Sequence, residues 1–280
     1  MDTKSNEKLI IGVIGGKGAM GKLFADAFTD LGCKVIISDI DTEITNKELA
    51  SNSDIIIISV PIRKTREVIR EIVPFVKKGS LLTDLTSVKE MPVEEMTKAK
   101  DCEVVGGHPL FGPSVGLKNQ NFIICKERTG EIYKEYISLL ERLGIKIIYM
   151  SVAEHDMQMG VIQGLTHFSN ITLGNTLQNI GYDIEKGESI SSPVYLMRLY
   201  GVGRILDQDP ELYSDIQIEN KYARELAKKY VESSKQICDA VNAKDKESFE
   251  KIFNKSKDYF KKINKKSMKK TDDMIKAINN

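Results

Sequence analysis

The sequence predicts an α/β fold in which a doubly wound parallel sheet is followed by an all-helical domain. Short aliphatic runs alternate with helical stretches through the first half of the 280-residue chain. Strands of this kind are buried on both faces, as in a parallel sheet covered by helices. After Ser151 only long helical patterns remain. We therefore predict a sheet domain over residues 1–150 and a helical domain over residues 151–280.

Seven runs in the first half have the composition of strands. In chain order they are Leu9–Gly15, Lys34–Asp39, Asp54–Val60, Ser80–Leu85, Glu103–Val105, Phe122–Cys125 and Lys146–Met150. Helical spacing of apolar residues occupies Ala19–Leu31 and Lys64–Val76. This alternation is a βαβ series, and ligands of such sheets bind beyond the carboxyl ends of the strands.

The stretch Val152–Asn179 is apolar on most sides and contains Gly160, Gly164 and Gly174. Glycine costs a helix about 1 kcal/mol relative to alanine, so three of them indicate the close approach of another helix. A helix that is apolar nearly all round is buried. We therefore predict a buried helix in a domain that two subunits of a homodimer share.

Later helices are indicated by capping residues and by spacing. Ser192–Pro193 and Asp209–Pro210 each combine an N-capping side chain with proline at the first helical position. The last stretch carries lysines on one side and apolar residues at helical spacing on the other, namely Phe249, Ile252, Phe253, Tyr259, Phe260 and Ile263. We interpret the lysine side as a solvated face, and a basic interaction surface is the alternative.

Composition and charge exclude several classes of partner. The formal net charge is +1, with 41% hydrophobic and 29% charged residues, which is ordinary for a globular protein. Neither nucleic acid nor a membrane is therefore expected as a partner. No run approaches the roughly 20 apolar residues that span a bilayer, and Met1–Lys8 lacks the apolar core of a secretory signal.

The four cysteines are widely separated and form no CxxC pair: Cys33, Cys102, Cys125 and Cys238. Zinc and redox motifs have closely spaced cysteines, so no metal site is expected. Reduced thiols and a cytoplasmic location are the simplest interpretation.

A glycine-rich segment with the pattern GxGxxG follows the first strand and opens a helix. It consists of Gly16, Lys17, Gly18, Ala19, Met20 and Gly21. In this context the glycines let a pyrophosphate approach the backbone, and the helix N-terminus supplies free N–H groups. We expect a Rossmann-type dinucleotide site, and a plain glycine-rich turn is the alternative.

An acidic residue about 20 positions later would bind the ribose hydroxyls of the dinucleotide. Asp39 closes the second strand and meets this expectation, with Asp41 as a competitor. A carboxylate there repels a 2′-phosphate, so NAD is favoured over NADP. Val60 and Pro61, at the end of the third strand, complete the expected cofactor contacts.

The chain has three histidines, His108, His155 and His167. His108 follows a strand in a Gly-Gly-His-Pro corner, where an imidazole can accept a proton near neutral pH, although it could equally cap a turn. His167 shares a predicted helix face with Gln163 and Asn170, which forms either a polar site or a structural network. His155, near the start of that helix, is interpreted as a capping or surface residue.

Several segments, in order along nearly the whole chain, resemble prephenate dehydrogenases. They are DLTSVK from Asp84, HPLFGP from His108, AEHDMQM from Ala153, SSPVY from Ser191 and VGRILDQDPELYSDI from Val202. The greatest similarity is to the dehydrogenase half of bifunctional chorismate mutase–prephenate dehydrogenases. The resemblance implies NAD-dependent oxidation and decarboxylation of prephenate in tyrosine biosynthesis.

The resemblance also implies roles for individual residues. His108 matches the catalytic histidine that helps to remove the proton of the ring C4 hydroxyl, and Arg204 matches the arginine that holds the ring carboxylate. Ser87 matches a serine that contacts this histidine and the cofactor side of the site. Lys89 and His167 match polar positions at or near the substrate pocket, and we place Gln163 with them.

The sequence departs from the family pattern in some respects, and it is also compatible with rival functions. Only about a dozen residues precede the glycine loop, so no chorismate mutase activity is expected, and any tyrosine inhibition would act at or near the active site. The contact for the pyruvyl carboxylate stays open, because Arg198 is on another side of its helix from Arg204. Rival functions are an arogenate dehydrogenase, a β-hydroxyacid dehydrogenase and a non-catalytic NAD-sensing dimer.

Overall fold

The computed structural model describes residues 9–278, which divide into two compact units. The first unit extends through Met159 and includes Ile218–Lys221, and the second consists of Gly160–Gln217 and the residues from Tyr222 onward. The polar start Met1–Lys8 lies outside the described residues. The division between residues 150 and 151 stays a prediction about domains.

The first unit is an α/β sheet. Its strands are β1 (Ile10–Ile14), β2 (Lys34–Ser38), β3 (Ile55–Ile58), β4 (Leu81–Asp84), β5 (Glu103–Pro109), β6 (Asn121–Arg128) and β7 (Lys146–Tyr149). Its helices are α1 (Ala19–Asp30), α2 (Asn46–Asn52), α3 (Ile62–Ile72), α4 (Glu90–Met96), α5 (Glu131–Arg142) and α6 (Val152–Met159). The sheet order within the described residues is β2-β1-β3-β4-β5-β6-β7. The predicted doubly wound α/β fold is confirmed.

Helices cover both faces of the sheet, as its central strand illustrates. All four residues of β3 are isoleucines with no exposed surface. Ile55 and Ile57 join a core that includes Phe24 of α1, whereas Ile56 and Ile58 join a second core. Burying an isoleucine side chain contributes about 1.5–3 kcal/mol. The uninterrupted apolar run therefore follows from burial on two faces.

The β5–β6 pair is an exception within the predicted parallel sheet. These strands are antiparallel, whereas the other neighbouring pairs are parallel. Only residues 110–120 connect them, with one short 3₁₀ turn at Pro113–Val115. A parallel crossover needs a dozen or more residues, usually with a helix. The short connection therefore imposes the antiparallel direction.

Strand β5 extends four residues beyond the predicted end at Val105, so His108 lies inside a strand rather than after one. The two glycines that precede it are sites of close approach. A Cβ on Gly106 would lie 2.7 Å from the Lys89 side chain, and one on Gly107 would lie 2.6 Å from the Asp84 carbonyl oxygen. The glycines therefore permit the strand to pass these neighbours.

Helices α2, α4 and α5 lie outside the predicted helical stretches. Helix α2 has only seven residues, too few to show a helical period, but a capping box marks its start. The Thr45 hydroxyl accepts from the Glu48 N–H at 3.2 Å, and the Glu48 carboxylate accepts from the Thr45 N–H at 2.9 Å. This Thr-x-x-Glu pattern was the available sequence signal.

The second unit is helical. A π-helical segment at Gly160–Leu165 precedes α7 (Thr166–Asn179), α8 (Ile184–Ser189), α9 (Pro193–Leu206), α10 (Pro210–Glu219), α11 (Lys221–Asn242), α12 (Lys246–Phe260) and α13 (Asn264–Ile278). No strand follows Tyr149 in the described part of the chain, as predicted. Ser192 Oγ accepts from the Tyr195 N–H at 3.4 Å and Asp209 Oδ1 from the Glu211 N–H at 2.9 Å. Both predicted helix starts are confirmed.

Two of the three glycines in the long apolar stretch permit helix contacts. A Cβ on Gly160 would lie 2.8 Å from the Tyr222 Cβ, and one on Gly174 would lie 2.9 Å from Leu206. The stretch consists of α6, a π-helical segment and α7 in direct succession, and its burial within a homodimer stays a prediction. Side chains of the single chain remain open to solvent there, with Val161 47% and Ile162 53% exposed.

No helix between residues 9 and 278 combines the length and the apolar character needed to cross a bilayer. Over the same range, no cluster of three or more His, Cys, Asp or Glu side chains is arranged to hold a metal ion.

Candidate active site

The glycine loop closes tightly onto the start of α1. Gly15, one residue before the predicted motif, has φ +77°, a conformation that favours glycine. A Cβ on Gly21 would lie 2.2 Å from the Gly15 carbonyl oxygen. Gly18 is the N-cap of α1 and supplies no side-chain cap. The first N–H groups of this helix are therefore available to an anion, which fits a pyrophosphate.

The two candidate ribose ligands occupy different surroundings. Asp39 follows β2 and its Oδ2 accepts from the Lys17 N–H at 2.8 Å, which places its carboxylate against the glycine loop. The Asp41 carboxylate instead pairs with Lys17 Nζ at 2.7 Å, and this pair lowers the pKa of Asp41. Val60 also borders the loop, since a Cβ on Gly15 would lie 3.1 Å from it. Pro61 is the N-cap of α3.

The predicted sheet residues gather at one edge. Strands β1 to β5 are mutually parallel, so their carboxyl ends share that edge. The glycine loop follows β1, Asp39 follows β2, and Val60 follows β3. Ser87 follows β4 and is half-buried, while His108 lies near the end of β5. This edge is where ligands of such sheets bind.

His108 is buried and contacts a second histidine. Its Nδ1 lies 2.8 Å from His155 Nε2, and His155 Nδ1 lies 2.7 Å from Asp156 Oδ1. Burial, then His155 and Lys89, lower the pKa of His108 well below its usual 6.5. Burial also lowers the pKa of His155, although Asp156 acts in the opposite direction. Both imidazoles are therefore neutral near pH 7.

The interpretation of His155 as a capping or surface residue is wrong. Its side chain has no exposed surface. Helix α6 carries it against β5, next to a histidine 47 positions earlier in the chain. The chain offered a signal in Glu-His-Asp, because a carboxylate adjacent to a histidine is a common orienting partner.

Lys89 is buried in an ion pair rather than presented to a pocket. Its Nζ contacts Asp84 and lies 3.2 Å from Thr86 Oγ1, and neither charged side chain is exposed. Asp84 also accepts from the Gly107 N–H at 3.3 Å, beside the candidate catalytic histidine. Lys89 therefore lies in a buried ion pair next to the candidate catalytic histidine, and its expected contact with the substrate stays a prediction.

The second unit brings His167 against Tyr213, a residue that the sequence reasoning did not single out. The ring centroids are 4.6 Å apart in an edge-to-face arrangement. Burial lowers the pKa of His167 to about 4, and within the described residues its Nδ1 is buried with no hydrogen-bond partner. Burial raises the pKa of the Tyr213 phenol, and the charge of Arg204 opposes this shift in part. Arg204 itself is exposed on α9.

The predicted polar row of Gln163, His167 and Asn170 needs revision. Gln163 lies in the π-helical segment, where the four-residue spacing of an α-helix does not apply. Asn170 donates to the Thr166 carbonyl oxygen at 3.0 Å within its own helix. Gln163 is half-buried. Its role in substrate binding stays a prediction.

Two family models match the chain. One, for the prephenate dehydrogenase nucleotide-binding domain, matches residues 33–149. The other, for the prephenate dehydrogenase dimerization domain, matches residues 151–255.

Similar proteins are found among curated sequences and solved structures. The chain is 34% identical over 293 residues to the probable arogenate/prephenate dehydrogenase of Methanocaldococcus jannaschii, covering 98% of this chain and 66% of that protein. It is 32% identical over 268 residues to the T-protein of Enterobacter agglomerans, covering 95% and 72%. The fold is similar to that of A. aeolicus prephenate dehydrogenase in complex with hydroxyphenyl propionate and NAD+, with a TM-score of 0.72 and 21% identity over 93% of this chain and 100% of the other.

Proposed function

Since the chain belongs to the prephenate dehydrogenase family, we propose that it oxidises and decarboxylates prephenate to 4-hydroxyphenylpyruvate for tyrosine biosynthesis, with NAD as the oxidant. The observation that carries the proposal is the neutral, buried imidazole of His108 at the sheet edge that also holds the glycine loop. Oxidation of a ring alcohol requires a base that takes up the hydroxyl proton, and His108 lies where such a base is needed.

The first unit supplies the nucleotide site and the base. The glycine loop, with Lys17, Ala19 and Met20 between its glycines, holds the pyrophosphate at the start of α1. Asp39 binds the ribose hydroxyls, which disfavours a 2′-phosphate and so favours NAD over NADP. NAD held in this way would supply the hydride acceptor for the ring carbon that carries the hydroxyl. His108 takes the hydroxyl proton of the same carbon, and Ser87 contacts His108 and the cofactor side of the site.

The second unit supplies the carboxylate ligand. Arg204 holds the ring carboxylate until it leaves as carbon dioxide, because a guanidinium matches a carboxylate in a bidentate fork. His167 and Gln163 contact the remainder of the substrate. We further propose that residues 151–280 form the domain that joins two chains, in keeping with the family description of residues 151–255. A cytoplasmic location is also proposed, since the cysteines are free thiols.

Arogenate is the second candidate substrate, because the Methanocaldococcus jannaschii relative is described as a probable arogenate/prephenate dehydrogenase. Arogenate has the same ring as prephenate, so His108 and Arg204 would act identically. Discrimination between the two substrates would come from protein groups that contact the side arm.

The test is an NADH absorbance assay of the purified protein with prephenate or arogenate and with NAD or NADP, in all four combinations. We expect the fastest turnover with prephenate and NAD, with 4-hydroxyphenylpyruvate as the product. Faster turnover with arogenate would show that arogenate, and not prephenate, is the preferred substrate. Nucleotide binding without turnover of either acid would indicate a non-catalytic NAD-sensing dimer and overturn the proposal.

A further inference from the structure

A row of hydrogen bonds runs behind His108 and ends on Asp156. Asp156 Oδ1 accepts from the Lys89 N–H at 2.7 Å, and Oδ2 accepts from the Glu90 N–H at 2.9 Å. Oδ1 also faces His155 Nδ1 at 2.7 Å. The groups that meet this carboxylate are hydrogen-bond donors, so it acts as an acceptor in each contact.

The direction of these bonds fixes where each proton lies. Because Asp156 accepts, His155 Nδ1 carries a proton, and the Nε2 of a neutral His155 then has a lone pair. That nitrogen accepts from His108, so His108 Nδ1 also carries a proton. In a neutral imidazole one nitrogen carries a proton and the other does not. His108 Nε2 is therefore left with the lone pair that a base needs.

We propose that His155 and Asp156 are positioning residues that hold His108 in the tautomer whose Nε2 can take up a hydroxyl proton. The inference rests on the proposed function for the identity of the hydroxyl, which belongs to the substrate. Neither residue contacts the reacting atoms. Both act through His108, because they orient its ring and keep its proton on Nδ1.

The surroundings keep this row in place and keep it neutral. Asn220 Nδ2 donates to the Asp156 carbonyl oxygen at 2.8 Å, which holds α6 against a residue of the same unit. Besides Asp156, the charges that act on these imidazoles are the Lys89 ammonium and, for His155, the Asp84 carboxylate. The Cys125 thiol also lies near these charges, and burial raises its pKa to about 12, so it stays neutral. A second proton on either imidazole would be repelled by the positive charge of Lys89.

The first experiment measures the tautomer directly. The sequence has only three histidines, so a two-bond ¹H–¹⁵N spectrum of the full-length protein contains three imidazoles. The variants His155→Gln and His167→Gln assign them. We expect Nδ1 of His108 and of His155 to be protonated and both Nε2 atoms to be bare. A proton on His108 Nε2 would overturn the inference. This result does not depend on the substrate, so the inference can survive if prephenate is not turned over.

The second experiment compares His155→Gln with His155→Leu. Glutamine retains an oxygen that can accept from His108 Nδ1, whereas leucine has no acceptor. We expect the leucine variant to lose about tenfold or more in kcat relative to the glutamine variant, with NAD binding unchanged. The exposed neighbour Glu154→Gln is the matched control and should keep the wild-type rate.

Equal rates in the two variants, both folded and with the His108 tautomer unchanged, would overturn the inference. If the leucine variant does not fold, His155→Gln still decides the matter, because its spectrum must show His108 protonated on Nδ1.

Discussion

His108 and His155 meet through a 2.8 Å contact between Nδ1 of the first and Nε2 of the second, with ring centroids 5.0 Å apart at 67°. Both rings are buried in the first unit. Two of the three histidines of the chain thus form a pair whose ring nitrogens are in direct contact. The candidate base is oriented by a partner that is 47 positions away in sequence and that has its own carboxylate.

Replacing His108 by asparagine should abolish most of the turnover and leave NAD binding intact. Asparagine can keep a polar contact with His155 but cannot accept a proton at neutral pH. We expect kcat to fall by about 10²–10⁴-fold, the usual contribution of a general base. Steady-state NADH formation and calorimetric titration with NAD measure the two effects separately. Near-wild-type turnover of the variant would refute the assigned mechanism.

None of the three imidazoles should titrate near the ordinary histidine value of 6.5, because all three have lowered pKa values. An unfolded chain then binds more protons than the native one below pH 6.5. The free energy of unfolding should therefore be at its full value above pH 6.5 and decrease as the pH falls toward 4. Urea titrations at several pH values measure it, and His167→Gln should make the decrease shallower. A histidine resonance that titrates at pH 6.5 would contradict this expectation.

The same pKa shift predicts the acid limb of the rate profile. His108 is competent as a base only when neutral, and its pKa is well below 6.5. The value of kcat/KM should thus stay constant from pH 7 through pH 6.5 and decline only at lower pH. A limb centred at 6.5 or above would mean that the essential base is another group.

Arg204→Ala should chiefly raise the KM for prephenate, because the variant loses the fork that holds the ring carboxylate. Arg204→Lys should restore little, since an ammonium cannot form two parallel hydrogen bonds. The matched control is Arg198→Ala, another exposed arginine of α9. Steady-state kinetics of the three variants give the comparison. Equal KM values for the two alanine variants would remove Arg204 from the substrate site.

Lys89→Met should destabilise the protein by about 3–5 kcal/mol, because it removes the only cation paired with the buried Asp84 carboxylate within the described residues. The double variant Asp84→Asn/Lys89→Met should recover part of this loss, since no charge is then buried alone. Lys64→Ala, which breaks the exposed pair with Glu67, is the control and should have little effect. Urea denaturation measures all three. A mild effect of Lys89→Met would show that the ammonium is not needed for folding.

Gly21→Ala should weaken NAD binding and lower the melting temperature. The added Cβ would lie 2.2 Å from the Gly15 carbonyl oxygen, so the phosphate loop must shift. Lys22→Ala changes the next residue of the same helix, where the side chain is exposed and pairs with Asp26, and serves as the control. Calorimetric titration with NAD and thermal unfolding measure both effects. Wild-type affinity in Gly21→Ala would contradict the tight closure of this loop.

Much of the sheet unit was predictable because its signals are local. Isoleucine runs such as that of β3 report burial on two faces, and GxGxxG after a strand reports a phosphate loop. The antiparallel β6 was not predictable from such signals, because strand direction depends on the connection and the neighbouring strand. Gly15 was also missed, since its positive φ is a property of the folded turn.

The sequence by itself determined the order of the strands, the glycine loop, the capped starts of α9 and α10, and the candidate imidazole at the sheet edge. These features depend on residues close together in the chain. Only the tertiary structure decided that His155 supports His108 and that Lys89 is buried against Asp84. Side chains far apart in sequence meet only after β4, β5 and α6 have packed, and burial then sets both their partners and their charge states.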